Sequence, residues 1–440
     1  MKKYYQSWGR YPRAEQEVVR LWSRHDPFPL DRIDGKTALP RGNGRSYGDS
    51  CLNDGGMLID VRGLDRLIDF DPETGILRCE AGVLLADILK FAVPQGWFVP
   101  ATPGTRLITV GGAIANDVHG KAHHQDGTFG RHVRCFELLR SDGSRYLCTP
   151  QENSDWYRAT IGGLGLTGLI LWAEIALKRI GSPYIDSETV KCTNLDEFFS
   201  VSADSDQDYE YTVAWLDCTA RGPRLGRALF SRGNHVNTVP DKLPRIPGRR
   251  LSVPIEPPIT LVNSLSLRAF NKLYYARQRE HRRREIVHYE PFFYPLDAIL
   301  EWNRIYGPRG FFQYQCVLPG NDGRSAVREV LERITASGEG SFLAVMKIFG
   351  DLDSPGILSF PQSGVTLAID FPNRGRRTLS LLDQLDEVVR AAGGRVYPAK
   401  DARMSAESFD HYYPQWRELL PYTDPILSSS FWRRVTGVAA

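Results

Sequence analysis

Apolar and polar residues alternate along short segments in the first 180 residues, and glycine-rich turns separate these segments. A period of two combined with β-branched residues predicts half-buried strands. The strand segments are TALP, GMLIDV, ILRCEAG, FELLRSDGSRYLC and LTGLILWAEIALKRI, and LLADILKFAV has the pattern of a helix. We expect a strand-rich unit here.

The pattern changes between about residues 181 and 390, where strand segments are separated by longer amphipathic helices. The predicted strands are YTVAWLDCT, ALFSRG, GFFQYQCVLP and GVTLAIDFP, and the predicted helices are DGRSAVREVLERITASG and TLSLLDQLDEVVRAAGG. This order predicts an α+β lobe in which helices cover one face of a sheet. Residues 235–262 are rich in proline and basic residues, which predicts a long mobile loop. After residue 395, KDARMSAESFDHYYPQWRELL predicts a polar turn followed by a helix.

Length and composition limit the classes of protein that remain. At 440 residues the chain is too long for one compact domain, so we expect two lobes with a site between them. A formal charge of +3 is too small to indicate a nucleic-acid partner. Seven cysteines without a CxxC pair suit a reducing compartment, and the N-terminus lacks the apolar stretch of a signal peptide. We expect a cytoplasmic protein, soluble or attached to a surface.

Three glycine-rich turns are the strongest chemical features of the first lobe. The first covers Arg41, Gly42, Asn43, Gly44, Arg45, Ser46, Tyr47, Gly48 and Asp49. Its backbone N–H groups are suited to an anion-binding nest for a phosphate, although an ordinary glycine-rich hairpin has the same composition. The second runs from Pro103 to Gly120, and its residues Ala113 to Asp117 predict the start of a short helix that faces a phosphate.

The third turn, Gly162 to Gly168, contains a formal G-x-G-x-x-G, but the strand-like LILWAEIALK follows it instead of a helix. It therefore fails the test for a dinucleotide-binding fold. A Walker A sequence is also absent from the chain. Three such turns within 130 residues predict a large, elongated, phosphate-bearing cofactor that lies across several loops.

Two other features leave more than one interpretation open. His119, His123 and His124 have a spacing that can indicate a metal site, but Gly120 interrupts the helix that such a site would need, and we predict no metal. Lys400 lies in the polar turn YPAKDAR, where a lysine either holds a substrate or flavin oxygen or is simply solvated.

The segment from Tyr274 to Arg284 is the one strongly charged patch of the sequence. Such a run is usually a solvated helix face. Together with Lys242, Arg245, Arg249 and Arg250 of the predicted loop, it is also suited to an anionic membrane surface or a phosphorylated lipid.

Five segments together resemble one enzyme family. RGNGRSYGDS, PGTRLITVGGAIANDVHGKAHHQDGTFGRHV, ATIGGLGLTGLI, EWNRIYGPRGFFQYQCVLP and YPAKDAR, in this order, closely resemble the decaprenylphosphoryl-β-D-ribose 2′-oxidases. That family belongs to the vanillyl-alcohol-oxidase, or PCMH-type, FAD proteins. The resemblance covers Tyr11 to Trp432, and the long segment through His119 to His132 is its most specific part.

The resemblance implies an α+β fold with two parts. Residues 1–180, completed by 395–440, would form the FAD-binding domain, and residues 181–394 the substrate-binding domain with an antiparallel sheet. The residues that match the family's flavin contacts are Arg41, Gly42, Asn43, Gly44, Arg45, Ser46, Tyr47, Gly104, Thr105, Thr109, Gly112, Ala115, His119, Gly120, Ile170 and Tyr397. Many relatives carry a histidine that is covalently bound to the flavin where this chain has Arg45, so we expect a noncovalent, dissociable FAD.

The resemblance further implies that the 2′ carbon of a lipid-linked ribose gives hydride to flavin N5. Lys400 matches the essential lysine of the family, and a cation there would stabilise a developing alkoxide. Tyr47 and His119 stand with it at the catalytic centre, and the positions that match the substrate pocket are Lys121, Tyr294, Gln313, Gln315, Lys347 and Lys400. Ala368 replaces a cysteine that reacts with nitro-aromatic inhibitors in relatives, and Thr366 stands where some relatives have asparagine.

Two further expectations follow from the resemblance, and other hypotheses compete with it. The keto product would be completed by a separate NAD(P)H-dependent short-chain reductase, which gives net epimerisation to arabinose. The substrate lipid implies peripheral contact with the inner membrane surface. The competing hypotheses are an aldonolactone or alditol oxidase acting on a free sugar, a flavin-binding protein without catalysis, and a metal hydrolase built on the three histidines.

Overall fold

A computed structural model describes residues 5–239, 251–320 and 323–438. Within these ranges the chain forms helices and mainly antiparallel sheets, which makes the fold α+β. The middle of the predicted mobile loop, residues 240–250 with Lys242, Arg245, Arg249 and Arg250, lies outside the described residues. The remainder of that loop contains a two-residue strand near residue 251 and is largely exposed.

The first part of the chain carries two sheets and a short ribbon. A parallel three-stranded sheet has the order β1-β3-β2 and consists of β1 (Glu17–Arg20), β2 (Ala38–Arg41) and β3 (Met57–Asp60). An antiparallel five-stranded sheet consists of β4 (Leu67–Asp71), β5 (Ile76–Glu80), β7 (Val133–Leu139), β8 (Arg145–Cys148) and β9 (Leu169–Ala176). The ribbon pairs β6 (Trp97–Phe98) with β10 (Lys178–Arg179). The strands predicted in residues 1–180 are therefore confirmed.

One antiparallel sheet of eight strands forms most of the second part, in the order β15-β11-β13-β12-β18-β19-β17-β20. Its members are β11 (Tyr184–Cys192), β12 (Tyr211–Leu216), β13 (Ala228–His235), β15 (Arg282–His288), β17 (Phe311–Leu318), β18 (Ala344–Phe349), β19 (Gly364–Pro372) and β20 (Arg395–Val396). The short strands β14 (Leu251–Ser252) and β16 (Ile299–Leu300) pair beside it.

Twelve α-helices occur in the described residues. The first five are α1 (Leu30–Ile33), α2 (Leu85–Ala92), α3 (Val110–Ala115), α4 (His123–Asp126) and α5 (Ser154–Thr160). The remaining seven are α6 (Leu195–Ala203), α7 (Ser264–Ala276), α8 (Tyr289–Phe293), α9 (Gly323–Ser337), α10 (Arg376–Ala391), α11 (Ala406–Tyr412) and α12 (Ser430–Thr436). None of the helices in these ranges is long and apolar enough to cross a bilayer.

The two faces of the large sheet carry different residues because side chains alternate along each strand. On β17, Tyr314 and Cys316 belong to an apolar core shared with α9 and α10. Gln313 and Gln315 point to the other face, where they line a cavity. The sheet thus uses one face for stability and the other for a site.

Two local expectations were wrong. The basic run Tyr274 to Arg284 is not one helix, because α7 ends at Ala276 and Arg282 begins the edge strand β15. The short helix predicted from Ala113 begins earlier, at Val110, because the Thr109 hydroxyl accepts a hydrogen bond from the Gly112 N–H and caps it.

Candidate active site

A cavity of about 880 Å³ lies between the glycine-rich turns and the open face of the large sheet. Every flavin-contact position predicted from sequence lines it, and so do five of the six predicted substrate positions: Lys121, Gln313, Gln315, Lys347 and Lys400. The sixth, Tyr294, lies behind the wall, where its hydroxyl is 2.7 Å from the hydroxyl of the cavity residue Thr102. Residues more than 300 positions apart in sequence are thereby brought together.

The first glycine turn follows β2 and forms part of the cavity wall from backbone. A Cβ at Gly42 would lie 2.2 Å from Thr109 Oγ1, so only glycine fits beside the cap of α3. Gly44 has φ +61°, a left-handed conformation that favours glycine. The Asn43 amide donates a 2.7 Å hydrogen bond to the Leu107 carbonyl, which joins this turn to the second glycine-rich segment.

Lys400 is fixed by its own turn and by the first glycine turn. The Lys400 N–H donates to the Tyr397 carbonyl at 3.0 Å, and the Tyr47 N–H donates to the Ala399 carbonyl at 2.9 Å. A Cβ at Gly48 would lie 1.5 Å from the Asp401 carbonyl oxygen. The sequence alone left a solvated lysine as an alternative, but this lysine turn is packed directly against the glycine turn.

The Lys400 ammonium group lies 3.9 Å from the centre of the Tyr47 ring. Burial lowers the pKa of Lys400 to about 7, although Asp370 opposes this shift. Burial also raises the pKa of the Tyr47 phenol well above its usual value, and Asp370 adds to this effect. At neutral pH the phenol is therefore protonated, while the lysine is close to its titration point.

His119 is held by two side chains of the large sheet. Gln315 Nε2 lies 3.0 Å from His119 Nε2, and Lys347 Nζ lies 3.2 Å from His119 Nδ1. Burial lowers the pKa of His119 well below its usual value, and the positive charge of Lys347 lowers it further. The imidazole is thus neutral at pH 7, and its orientation is fixed from both sides.

Two further lysines extend the charged part of the cavity. Lys347 donates a 3.0 Å hydrogen bond to the Gly120 carbonyl, and burial lowers its pKa to about 7, with Lys121 and Lys400 acting in the same direction. Lys121 donates to the Phe292 carbonyl and lies 4.4 Å from the centre of the Phe292 ring. Burial lowers the pKa of Lys121 to about 7 as well.

Asp370 was missed by the sequence reasoning. It is fully buried on β19, and Gln313 Nε2 donates to Asp370 Oδ1 at 2.7 Å. Burial raises its pKa to about 7. A usable signal was present, because Thr366, Ala368 and Asp370 alternate along one predicted strand and must share a face.

The three clustered histidines do not converge. His119 faces the two sheet residues described above, whereas the ring of buried His123 packs 4.2 Å from Phe349. His124 Nε2 lies 2.8 Å from the Tyr209 carbonyl. Across the described ranges, no group of three or more His, Cys, Asp or Glu side chains is arranged to hold a metal ion.

Comparison with known proteins identifies the cofactor. Residues 11–149 match the family described as FAD binding domain. A decaprenylphosphoryl-beta-D-ribose oxidase of Mycolicibacterium smegmatis is 37% identical over 97% of this chain and 96% of that protein. An uncharacterized protein in the mprA 5'region of Streptomyces coelicolor is 33% identical over 80% of this chain and 100% of that protein. L-gulonolactone oxidase of Mus musculus is 26% identical over 38% of this chain and 38% of that protein.

The cavity fits an FAD on structural grounds. Its glycine turns line the cavity without side chains, which allows the close approach of backbone N–H groups that a pyrophosphate needs. Arg41 Nε, Arg45 Nε and Ser50 Oγ are buried along the cavity and have no hydrogen-bond partner among the described residues. Its volume is near the upper end of ordinary ligand sites, which span about 300–1,000 Å³.

Whole-length similarity to one named relative, the matched FAD domain and a cavity suited to FAD all agree. The chain belongs to the decaprenylphosphoryl-beta-D-ribose oxidase family and is an FAD-dependent oxidoreductase.

Proposed function

We propose that this enzyme oxidises the 2′-hydroxyl of a polyprenylphosphoryl-β-D-ribose to the 2′-keto sugar. The similarity over nearly the whole chain to an oxidase named for such a substrate supports this assignment. The observation that carries it is the position of Lys400, which shares one cavity wall with the glycine turns and lies against Tyr47. A hydroxyl placed there meets a cation beside the cofactor's loops.

The predicted catalytic and substrate residues then each have a role. FAD, when bound, would supply the two-electron acceptor for the carbon that carries the hydroxyl, and the hydroxyl proton would pass to a base or to water. Lys400 in its charged form stabilises the negative charge that develops on the sugar oxygen, and Tyr47 holds Lys400 in place. His119 stays neutral and, with Gln315 and Lys347, orients the sugar. Lys121 and Gln313 complete the sugar pocket, and Tyr294 supports it through Thr102.

We assign FAD as a noncovalent cofactor. Arg45 stands where many relatives carry the flavin-linked histidine, and its guanidinium lies 4.1 Å from the centre of the Trp8 ring. A guanidinium does not form the bond to the flavin that a histidine forms in those relatives. The remaining flavin-contact positions act through backbone and hydrogen bonds, so the cofactor is expected to leave the protein on acid precipitation.

We also propose that the chain forms two lobes with different roles. Residues 1–180 with 395–440 carry the flavin turns and Lys400, and residues 181–394 carry the large sheet. Within the tail, β20 pairs with β17 of that sheet, and buried apolar residues of both parts share one core. The lobes are therefore expected to move little relative to each other.

The test begins with the visible spectrum of the purified protein, repeated on the supernatant after acid precipitation. Flavin bands that pass into the supernatant support noncovalent FAD. Anaerobic addition of prenylphosphoryl ribose should then bleach the bands of the holoenzyme. A holoenzyme that stays oxidised would overturn the substrate assignment and leave the FAD enzyme class intact.

The second candidate is an aldonolactone or alditol oxidase that acts on a free sugar. The partial match to L-gulonolactone oxidase favours it. It predicts bleaching by a soluble sugar lactone or alditol and no dependence on a lipid. Parallel anaerobic titrations with prenylphosphoryl ribose and with L-gulonolactone separate the two candidates.

We further propose that the enzyme docks on the inner, cytoplasmic face of an anionic membrane. Leu265 is 78% and Leu273 71% exposed on α7, and Phe270 of the same helix lines the cavity. Arg268 and Lys272 are exposed beside them. Exposed apolar side chains flanked by cations suit an anionic bilayer, where a prenyl phosphate resides.

Sedimentation with anionic and neutral vesicles tests this contact. Leu265→Asp combined with Leu273→Asp should weaken binding to anionic vesicles, whereas Leu30→Asp, on the exposed part of α1, should not. Equal binding by the wild-type protein, the double variant and Leu30→Asp would contradict the proposed surface.

The keto product would pass to a separate NAD(P)H-dependent short-chain reductase, which would complete an epimerisation to the arabinose sugar.

A further inference from the structure

Asp370 is a buried carboxylate that the proposed roles above leave without a function. It is fully buried, and its backbone N–H donates to the Leu343 carbonyl at 3.3 Å, so its position on β19 is fixed. A buried carboxylate is costly unless it is paired or hydrogen-bonded. Its surroundings therefore indicate which group it serves.

Each oxygen of Asp370 accepts a hydrogen bond from a neutral side chain. Gln313 Nε2 donates to Oδ1 at 2.7 Å, and the Tyr306 hydroxyl donates to Oδ2 at 3.3 Å. The Tyr306 hydroxyl also lies 2.6 Å from Ser341 Oγ, and its ring stacks 4.1 Å from Phe311. Neutral hydrogen bonds satisfy the carboxylate oxygens but do not neutralise their charge.

The cation that acts on Asp370 is Lys400. The two side chains attract each other, since Lys400 lowers the pKa of Asp370 and Asp370 raises that of Lys400. They are further linked through Tyr47, because Gln313 interacts with the Tyr47 phenol and the Lys400 ammonium lies over the Tyr47 ring. Lys121 and Lys347 differ in this respect. Burial lowers the pKa of both, Lys121 and Lys400 lower that of Lys347 further, and no carboxylate opposes either shift.

We propose that Asp370 is a positioning residue that keeps Lys400 charged beside the reacting hydroxyl, by direct attraction and through the Gln313 and Tyr47 contacts that seat the ammonium group. The role of that charge in catalysis rests on the proposed function. The attraction between Asp370 and Lys400 does not depend on which substrate the enzyme oxidises.

The charged and titratable groups around Asp370 and Lys400 are Tyr306, Tyr47, His119 and Lys347. Asp370 faces Tyr306, Tyr47 and Lys400. Lys400 also acts on His119 and Lys347, whose pKa values it lowers. Removal of the Asp370 charge leaves Lys400 with neutral or cationic neighbours only among these groups, so its pKa must fall.

The first test is Asp370→Asn in the holoenzyme. The alkaline limb of the kcat/KM profile with prenylphosphoryl ribose should move to lower pH by about one unit, as expected for loss of one opposite charge nearby. Trace labelling with an amine-reactive anhydride, read at Lys400 by peptide mass spectrometry, should begin at correspondingly lower pH, because only the neutral amine reacts.

Tyr306→Phe is a milder second variant. It keeps the stacked ring and removes one hydrogen bond that stabilises the charged carboxylate, so it should move both profiles in the same direction by a smaller amount. If Asp370→Asn loses FAD, this variant still decides the question.

The controls are Asp386→Asn and Tyr314→Phe. Tyr314 donates a 2.9 Å hydrogen bond to buried Asp386 on the helix-covered side of the sheet. This tyrosine and aspartate match Tyr306 and Asp370 in kind, but they lie on the face of the sheet that is turned away from the cavity. These two variants should leave the Lys400 labelling profile unchanged. The proposal is overturned if Asp370→Asn and Tyr306→Phe behave like them. If the wild-type enzyme does not turn over the prenylphosphoryl sugar, the proposed function fails, and the labelling profiles still decide the role of Asp370.

Discussion

Lys400 is the cation on which the proposed mechanism depends, and its turn is packed against the first glycine turn. We predict that Lys400→Met lowers kcat by about 10²–10³-fold, since one preorganised charge at a developing oxyanion is worth about that much. FAD content should be retained, because the flavin turns do not depend on the ammonium group. Steady-state kinetics with flavin quantification checks this.

The matched control is Lys36→Met. Lys36 pairs with Glu17 at the surface at 2.7 Å and does not line the cavity. Its replacement should leave kcat unchanged. Turnover by Lys400→Met at the wild-type rate would contradict the assigned role.

Lys347 leads to a prediction about pH. Its pKa is about 7 in the folded protein, and the ordinary value of a lysine is 10.5, so between these two pH values the unfolded chain binds one more proton than the folded chain. Stability from this residue therefore rises with pH across that window and is lowest below it. Lys347→Met should gain most stability at neutral pH, and the gain should shrink toward pH 10 by up to about 1.4 kcal/mol per pH unit. Urea unfolding at two pH values measures this, and a gain that does not change with pH would contradict the lowered pKa.

Sequence reasoning was most successful where a residue's chemistry is tied to a local motif. The turns around Gly42 and Lys400 could be predicted from the sequence alone, because the density of glycines and the polar segment YPAKDAR are local features of the chain. Asp370 could not be selected in the same way, because an aspartate within an apolar strand has no motif. Its importance depends on which residues β17 brings beside it.

At the scale of elements, the cap of α3 joins two functional turns. We predict that Thr109→Ala costs about 1 kcal/mol of unfolding free energy, because it removes the hydroxyl that accepts from the Gly112 N–H. Thr109→Ser should restore most of it. Urea unfolding compares the variants, and equal loss in the serine variant would show that the methyl group, packed near Gly42, matters more than the cap.

The regular elements of the chain were predictable to different degrees. The strands with strict alternation, such as β17 and β19, were found from their period. The edge strand β15 was not, because its arginine-rich sequence is exposed on both faces and has the composition of a solvated helix. Its pairing with β11 is set by tertiary context, which local propensity does not report.

At the scale of the whole molecule, Arg434 ties the end of the chain to its beginning. Its guanidinium lies 2.7 Å from Asp49 in the first glycine turn and 2.9 Å from Asp401 in the Lys400 turn, and both carboxylates are buried. We predict that Arg434→Met costs on the order of 3 kcal/mol, because it leaves both carboxylates without their cation. FAD affinity should fall as well, since Asp49 ends the first glycine turn.

Arg417→Met is the matched control for that variant. Arg417 pairs with Asp410, and both side chains are at least half exposed, so the loss should be within about 1 kcal/mol. Denaturant unfolding and FAD titration of the two variants compare the pairs directly. Equal losses would contradict a special role for the Arg434 cluster.

The division into two lobes stays a prediction, made from length and from the change of pattern near residue 181. The contact between Arg434 and Asp49 was not predicted, because a salt bridge between residues 385 positions apart leaves no local pattern in the sequence. Periodicity reports which face of an element is buried, and it does not report which distant element buries it.

The packing of the Lys400 turn and α12 against the first glycine turn also has a consequence for biosynthesis. The glycine turns are synthesised well before the Lys400 turn and α12, which pack on them. The flavin site can therefore be completed only after α12 has emerged from the ribosome, and capture of the cofactor then reports that synthesis has passed this helix.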